Sequence, residues 1–173
     1  ANLRSVTFPR TFSNASGPAS GSIDVSEFRG CENLKYVTAA NPSLKITGGE
    51  VDTSYTFDSF KEDVPAEFYL ESVDSSQFHT CATNNYMAFS YLNSDGTKQN
   101  LYELTVQETS GKKAVYRVNS SNQLVYCEFD SGLETVTMPD TVGPYQITVI
   151  GSGIFRNNCY LRRITIPSSI TTI

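Results

Sequence analysis

The sequence predicts a mainly β fold with minor α, organised as a solenoid of short repeats. One phrase recurs: a leucine, an apolar residue three positions later, a second apolar residue two positions after that, and then proline. The phrase begins at Leu3, Leu133 and Leu161, and a degraded copy begins at Leu34. Its two later apolar residues are two apart, so both point to one face of a short strand. The proline has no N–H for a β-ladder and therefore ends the strand.

A second element precedes two copies of the phrase. Phe28 stands six residues before Leu34, and Phe155 stands six residues before Leu161, with an arginine directly after each phenylalanine. The first two copies are 31 residues apart and the last two are 28 apart, close to the roughly 20–29 residues typical of leucine-rich repeats. We expect an inserted loop at residues 143–147 to supply part of the extra length.

The C-terminal copy carries enough of this pattern to resemble a known family, the BspA-like leucine-rich repeats that also occur in treponemal surface proteins. The residues that carry the resemblance are Ile150, Gly151, Ile154, Phe155, Cys159, Leu161, Ile164, Ile166, Pro167, Ile170 and Ile173. The match is close over 133–173 and looser over 1–47. It implies a right-handed solenoid with short parallel strands, displayed on a bacterial cell surface and associated with adhesion. It implies no catalytic site.

Between the two groups of repeats the sequence predicts a strand, a helix and a second strand. Phe68-Tyr-Leu70 alternates as a strand, Ser76 and its neighbours offer N-cap oxygens, and Phe78, Cys81 and Ala82 share one helix face. Residues 87–92 form the second strand. Similar segments often end BspA-like blocks, whereas an ordinary βαβ crossover predicts the same shape. In either case we expect the unit to cap the first repeat stack.

Three alternating runs follow, at residues 101–107, 114–118 and 123–129, and they predict an antiparallel meander leading into a second repeat stack. We therefore place a boundary near Asn93. Residues 1–93 are predicted to hold the end of one leucine-rich repeat block and its strand-helix-strand cap. Residues 94–173 are predicted to hold the meander and the start of a second block, in a chain excised from a longer protein.

The charge distribution excludes one class of partner. The net charge is −5 and the isoelectric point is near 4.8, so the basic footprint of a nucleic-acid-binding protein is missing. Eight acids and one lysine fall within residues 50–74. This stretch indicates either a solvated polar face, which we favour, or a calcium site or acidic contact patch. No EF-hand loop is present, so no metal site is predicted.

Four cysteines allow either two disulfides or four free thiols. Cys31 and Cys159 each lie shortly after a Phe-Arg pair and before a repeat leucine, where a small buried residue would fill the turn of a coil. We therefore favour free buried thiols over two disulfides formed among these two cysteines together with Cys81 and Cys127. No CxxC pair or Cys/His cluster occurs, which argues against zinc.

The sequence contains no pattern that predicts catalysis or a cofactor. His79 is the only histidine, and nothing in the spacing places a nucleophile or an orienting acid beside it. Phosphate-binding loops, HExxH and dinucleotide-binding glycine patterns are absent. No apolar run approaches the roughly 20 residues of a membrane span. We expect a monomeric, non-enzymatic, extracellular or cell-surface protein whose signal and anchor lie outside this sequence.

A surface remains as the candidate for function. On the outward face of the repeat strands, a recurring threonine is preceded two residues earlier by a variable residue. These variable positions are Ser5, Tyr36, Thr135 and Arg163. Tyrosine and arginine are enriched in binding hot spots, so we predict that this face binds a host or bacterial surface protein or a glycan. The alternatives are a stalk with no ligand of its own and, less favoured, a hydrolase that uses carboxylates of the acidic stretch.

Overall fold

The computed structural model describes residues 3–11, 22–24, 28, 31–47 and 68–173. Within those ranges the chain is mainly β with one short helix, which confirms the predicted fold class at that level. The strands are β1 Ser5–Phe8, β2 Ser22–Asp24, β3 Tyr36–Ala39, β4 Lys45–Thr47, β5 Tyr69–Val73, β6 Ala88–Leu92, β7 Lys98–Gln107, β8 Lys113–Asn119, β9 Gln123–Phe129, β10 Thr135–Thr137, β11 Thr141–Val142, β12 Tyr145–Gln146, β13 Val149–Ile150 and β14 Arg163–Thr165. The helix, α1, is Gln77–Asn84.

One mixed sheet of eight strands organises the described residues, in the order β1-β3-β5-β6-β7-β8-β9-β13. Strands β1, β3, β5 and β6 run parallel to one another. From β6 through β7 and β8 to β9, each strand runs antiparallel to the next, as the predicted meander. Strands β6 and β7 flank Asn93 and hydrogen-bond to each other, so the sheet continues across the predicted boundary. The division into 1–93 and 94–173 therefore stays a prediction.

The copies of the repeat phrase pair with one another in parallel and in register. Strand β1 pairs with β3, so that Val6 lies beside Val37. Strand β10 pairs with β14 in a separate two-stranded sheet, so that Val136 lies beside Ile164. Equivalent positions of successive copies are therefore neighbours in space. Strands β2 and β4 also pair in parallel, so the first two copies are joined by two pairs of strands.

The strand-helix-strand unit is present where the sequence predicts it. Strands β5 and β6 are parallel, and α1 crosses between them. The hydroxyl of Ser76 caps the helix by accepting a hydrogen bond from the N–H of His79 at 3.2 Å. Phe78, Cys81 and Ala82 are buried on one face of the helix, as their spacing predicts.

Two apolar cores lie on opposite faces of the large sheet. Leu70 and Phe89 belong to the first core, which also holds Leu34 and the buried face of α1. Glu103 pairs with Phe89 and so shares its face, whereas the adjacent Tyr102 belongs to the second core. The second core fills the space between the meander and the C-terminal repeat copies. The N-terminal repeats, whose strands β1 and β3 belong to the sheet, thus contribute to the first core, whereas the C-terminal repeats pack on the opposite face.

The loop predicted at residues 143–147 contains part of a short antiparallel hairpin, formed by β11 and β12. Gly143 lies at its turn with φ of +56°, a conformation that disfavours residues with a Cβ. A Cβ at this position would lie 3.4 Å from Cδ1 of Tyr102 and 3.6 Å from Cβ of Ala88. The hairpin is therefore packed onto the large sheet.

All four cysteines are free thiols, and Cys31, Cys81 and Cys127 are buried. The predicted burial of Cys159 is wrong, because its side chain is exposed. The hydrogen bonds give the reason. In the first stack the N–H of Leu34 bonds to the carbonyl of Cys31, but in the second the N–H of Leu161 bonds to the carbonyl of Asn158. Asn158, not Cys159, occupies the position equivalent to Cys31.

Candidate functional site

The four residues predicted on the outward face of the repeats form two neighbouring pairs. Ser5 lies beside Tyr36, and Thr135 lies beside Arg163. The first pair belongs to the eight-stranded sheet and the second to the two-stranded sheet. Ser5, Thr135 and Arg163 are exposed, whereas Tyr36 is half-buried. The predicted face is therefore divided between two sheets.

The ring of Tyr36 is part of a row of aromatic side chains. It stacks on Tyr69 with ring centroids 5.3 Å apart, and Tyr69 meets Tyr102 edge-on at 5.4 Å. Tyr102 in turn packs against Tyr145 of the β11–β12 hairpin at 4.7 Å. The ammonium of Lys98 lies 5.3 Å from the centroid of the Tyr36 ring, within reach of a cation–π contact. The ring of Tyr36 is thus packed between Tyr69 and Lys98, which are both residues of the large sheet.

A buried carboxylate lies next to this row. Glu71 is 1% exposed, and its two oxygens accept hydrogen bonds from the hydroxyls of Thr38 at 2.8 Å and Ser90 at 2.9 Å. Lys98 completes the set with its Nζ 3.1 Å from Oε2. Burial lowers the pKa of Lys98, but the bond to Glu71 outweighs this and raises it. Thr38, the recurring threonine of the repeat copy that begins at Leu34, is therefore buried and hydrogen-bonded. The expectation that this threonine faces outward is wrong for this copy, because Thr38 serves the fold.

A second polar cluster, the Glu103 cluster, comprises His79, Tyr91, Glu103 and Arg117 on the opposite face of the sheet. Oε1 of Glu103 lies 2.8 Å from Nε2 of His79. Its Oε2 accepts hydrogen bonds from the hydroxyl of Tyr91 at 2.5 Å and from Nε of Arg117 at 2.6 Å. The cluster joins α1, β6, β7 and β8 through one carboxylate that is 4% exposed.

The electrostatics of the Glu103 cluster favour a fixed negative charge. Burial raises the pKa of Glu103, but hydrogen bonds from His79, Tyr91 and Arg117 outweigh it and lower that pKa to about 2. Burial and the neighbouring carboxylate raise the pKa of Tyr91. At neutral pH, Glu103 is an ionised acceptor and cannot donate a proton. This geometry stabilises the contact of the helix with the meander rather than preparing a general acid.

Sequence reasoning missed the carboxylates around His79. Asp74 lies 3.0 Å from Nδ1 and Glu103 lies 2.8 Å from Nε2, so the expectation that no acid orients this histidine is wrong. Glu103 comes from β7, 24 residues along the chain, and only the sheet brings it to α1. The alternation of β7, which places Glu103 and Thr105 on the face opposite Tyr102 and Leu104, is the signal that could have indicated it.

The meander carries a half-buried arginine, Arg117, between two aromatic rings. The guanidinium of Arg117 lies 4.6 Å from the ring centroid of Tyr126 and 5.3 Å from that of Tyr91. The hydroxyl of Tyr126 donates to Glu128 at 2.7 Å. Tyr126 is partly exposed, so this arginine is sandwiched at the protein surface.

Of the acids in the predicted acidic stretch, Glu71 and Asp74 are described and the others lie outside the described residues. Among the described residues, no group of three or more His, Cys, Asp and Glu side chains is arranged to hold a metal ion. The helix found in the same ranges is too short to cross a membrane. No family model, no curated protein and no solved structure matches this chain.

Proposed function

We propose that this chain is a non-enzymatic binding module of the BspA-like leucine-rich repeat type, and that it binds a protein or a glycan through the outward face of its repeat strands. In this proposal the parallel repeat pairs belong to two right-handed solenoid blocks, separated by the strand-helix-strand cap and the meander. The observation that carries it is the register of the repeats, because successive copies present their variable residues side by side.

The pair Thr135 and Arg163 is the stronger half of the proposed face. Both side chains are exposed, and Arg163 makes no ion pair among the described residues. The neighbouring threonines, Thr137 and Thr165, are exposed on the same strands. An uncommitted arginine on a short rigid strand can bond to a carboxylate or to the hydroxyls of a glycan at little conformational cost.

The proposed setting is the outside of a bacterial cell, where the module would act as a monomer. A polar surface with few charges supports this placement, since charged residues make up 18% of the chain. The expected partners are host or neighbouring-cell proteins and glycans.

The test is a binding screen of the whole chain against extracellular-matrix proteins and a glycan array, repeated with Tyr36→Ala and Arg163→Ala. Arg156→Ala is the matched control, because Arg156 is also exposed but lies in a turn rather than on a repeat strand. Saturable binding that Arg163→Ala weakens and Arg156→Ala leaves unchanged would support the proposal. Binding that both arginine variants weaken equally would contradict it.

A spacer without a ligand is the second candidate, and one observation favours it. The ring of Tyr36 is stacked on Tyr69 and lies under Lys98, so the most hydrophobic residue of the proposed face already has partners within the chain. A spacer predicts that the folded chain binds nothing in the screen.

A further inference from the structure

A cavity of about 240 Å³ opens between the two C-terminal repeat copies, on the side where each copy turns into its strand. One wall is the turn after β9, from Phe129 to Leu133. The other wall is the segment from Asn157 to Leu161 that precedes β14. Tyr160 lies at the rim of the cavity and is 54% exposed, compared with 36% for Tyr126 on the meander.

Several polar side-chain atoms that line this cavity make no hydrogen bond to other described residues. The side-chain amides of Asn157 and Asn158 make no hydrogen bond in the described part of the chain. Asp130 uses Oδ2 to accept from the N–H of Lys113 at 2.7 Å, which leaves its second oxygen available. Asparagine amides both donate and accept, and a carboxylate accepts. The cavity therefore offers uncommitted donors and acceptors close together.

At this position the C-terminal stack has a polar residue where the first stack has a buried cysteine. Asn158 takes the position that Cys31 fills in the first stack, where the thiol is buried in the apolar core. Asn158 is half-buried, and its side-chain atoms are not among the fully buried polar atoms that lack a hydrogen-bond partner. Its amide is therefore open to solvent at the cavity and is available to bond to a ligand.

The lining also restricts the chemistry of a ligand. Lysine and arginine are absent from the residues that line the cavity, and Asp130 carries the one formal charge among them, so an anionic ligand is disfavoured. Leu133, Leu161 and the ring of Phe129 supply apolar surface. The volume is below the roughly 300–1,000 Å³ of pockets for drug-sized molecules, which suits a single small ring.

We propose that this cavity binds one neutral sugar ring. A pyranose presents an apolar C–H face, which would pack on the exposed ring of Tyr160, and hydroxyl groups, which would bond to the amides of Asn157 and Asn158 and to Asp130. The site is separate from Thr135 and Arg163 on the outward strand face, and it does not depend on the binding function proposed for that face. A ligand of this size is expected to bind with a dissociation constant on the order of 1 mM.

The test is titration of the isotopically labelled whole chain with N-acetylglucosamine, galactose and mannose, followed by backbone amide chemical shifts. We expect at least one sugar to shift the amides of 129–133 and 157–161 saturably. Tyr160→Ala should weaken that binding roughly three- to tenfold, the range expected for one aromatic contact. Asn158→Ala should weaken it as well, while the dispersion of the remaining amide signals shows that each variant is folded.

One control separates this site from other surfaces. Tyr126→Ala removes an exposed tyrosine on the meander and should leave the sugar-induced shifts of 129–133 and 157–161 unchanged. No saturable shift at concentrations tenfold above the expected dissociation constant would overturn the proposal. Shifts that survive both cavity variants, or tighter binding of a simple amine such as ethanolamine at Asp130, would overturn it too.

Discussion

Replacing the buried carboxylate of the Glu103 cluster is the most informative perturbation of stability. Glu103→Gln keeps the shape of the side chain but removes the charge that His79, Tyr91 and Arg117 face. The pKa of Glu103 is lowered to about 2, compared with roughly 4.3 for a glutamate in an unfolded chain. That difference corresponds to about 3 kcal/mol of folding stability at neutral pH. For a chain of this length the loss would lower the melting temperature by roughly 6–12 °C.

The pH dependence has a defined sign. Because the pKa of Glu103 is lower in the folded state, its stabilisation is present above about pH 4.3 and is lost as the pH falls from there towards 2. Glu103→Gln has no such proton to gain. The difference in the free energy of unfolding between the two proteins should therefore be constant at neutral pH and shrink below about pH 4.3.

Urea denaturation of both proteins at a series of pH values measures this difference. Glu128→Gln is the matched control, because Glu128 is an exposed glutamate of the same sheet, on β9, with one hydrogen bond, from Tyr126. The control should change the free energy of unfolding by less than about 0.5 kcal/mol. A similarly small change for Glu103→Gln, or a difference that stays constant down to pH 3, would show that the ionised Glu103 carboxylate does not stabilise the fold.

Three further predictions concern packing, backbone conformation and thiol exposure. Leu34→Ala removes a fully buried side chain of the first core and should cost about 2–5 kcal/mol in the free energy of unfolding measured with urea. Gly143→Ala places a Cβ at positive φ and should lower the same free energy by about 1–2 kcal/mol. Cys159 is the exposed thiol and should react with a thiol reagent in the folded protein. Cys127 is buried, and burial raises its pKa to about 11, so it should react only after urea unfolds the chain. Equal rates for the two thiols would contradict the burial described.

Local patterns predicted much of the fold because they reflect forces that act within a few residues. The two-residue spacing of Val136 and Met138 marks a strand with one buried face, and the serines before Phe78 mark a helix start. The meander follows from alternation in the same way. None of these patterns indicates that the two cores lie on opposite faces of a single sheet, because that depends on the register between β6 and β7.

The candidate sites were less predictable because they depend on side chains that the fold brings together. The pairing of Ser5 with Tyr36 and of Thr135 with Arg163 could be predicted from the repeat, since equivalent positions of stacked copies must be neighbours. The repeat did not indicate that Tyr36 packs against the second core. The partnership of His79 with Glu103 could not, because it spans 24 residues and two elements. The misplacement of Cys159 shows the limit of aligning copies by residue type, since the hydrogen bonds align Asn158 with Cys31 instead.

The register of the repeat strands is the claim on which the proposed binding face depends, and engineered disulfides test it directly. Thr135→Cys with Arg163→Cys joins paired positions of β10 and β14, whose Cα atoms should be roughly 4.8 Å apart, within the range of a disulfide. Thr135→Cys with Thr165→Cys is the control, since a two-residue offset places those atoms roughly 8 Å apart. Both are made with Cys159→Ser to remove the exposed native thiol.

Mild oxidation followed by peptide mass spectrometry reports which disulfide forms. The parallel register predicts rapid formation of the 135–163 disulfide and little or none between 135 and 165. Formation of the offset disulfide at an equal or greater rate would contradict the parallel register, and with it the row of variable residues proposed to bind a ligand.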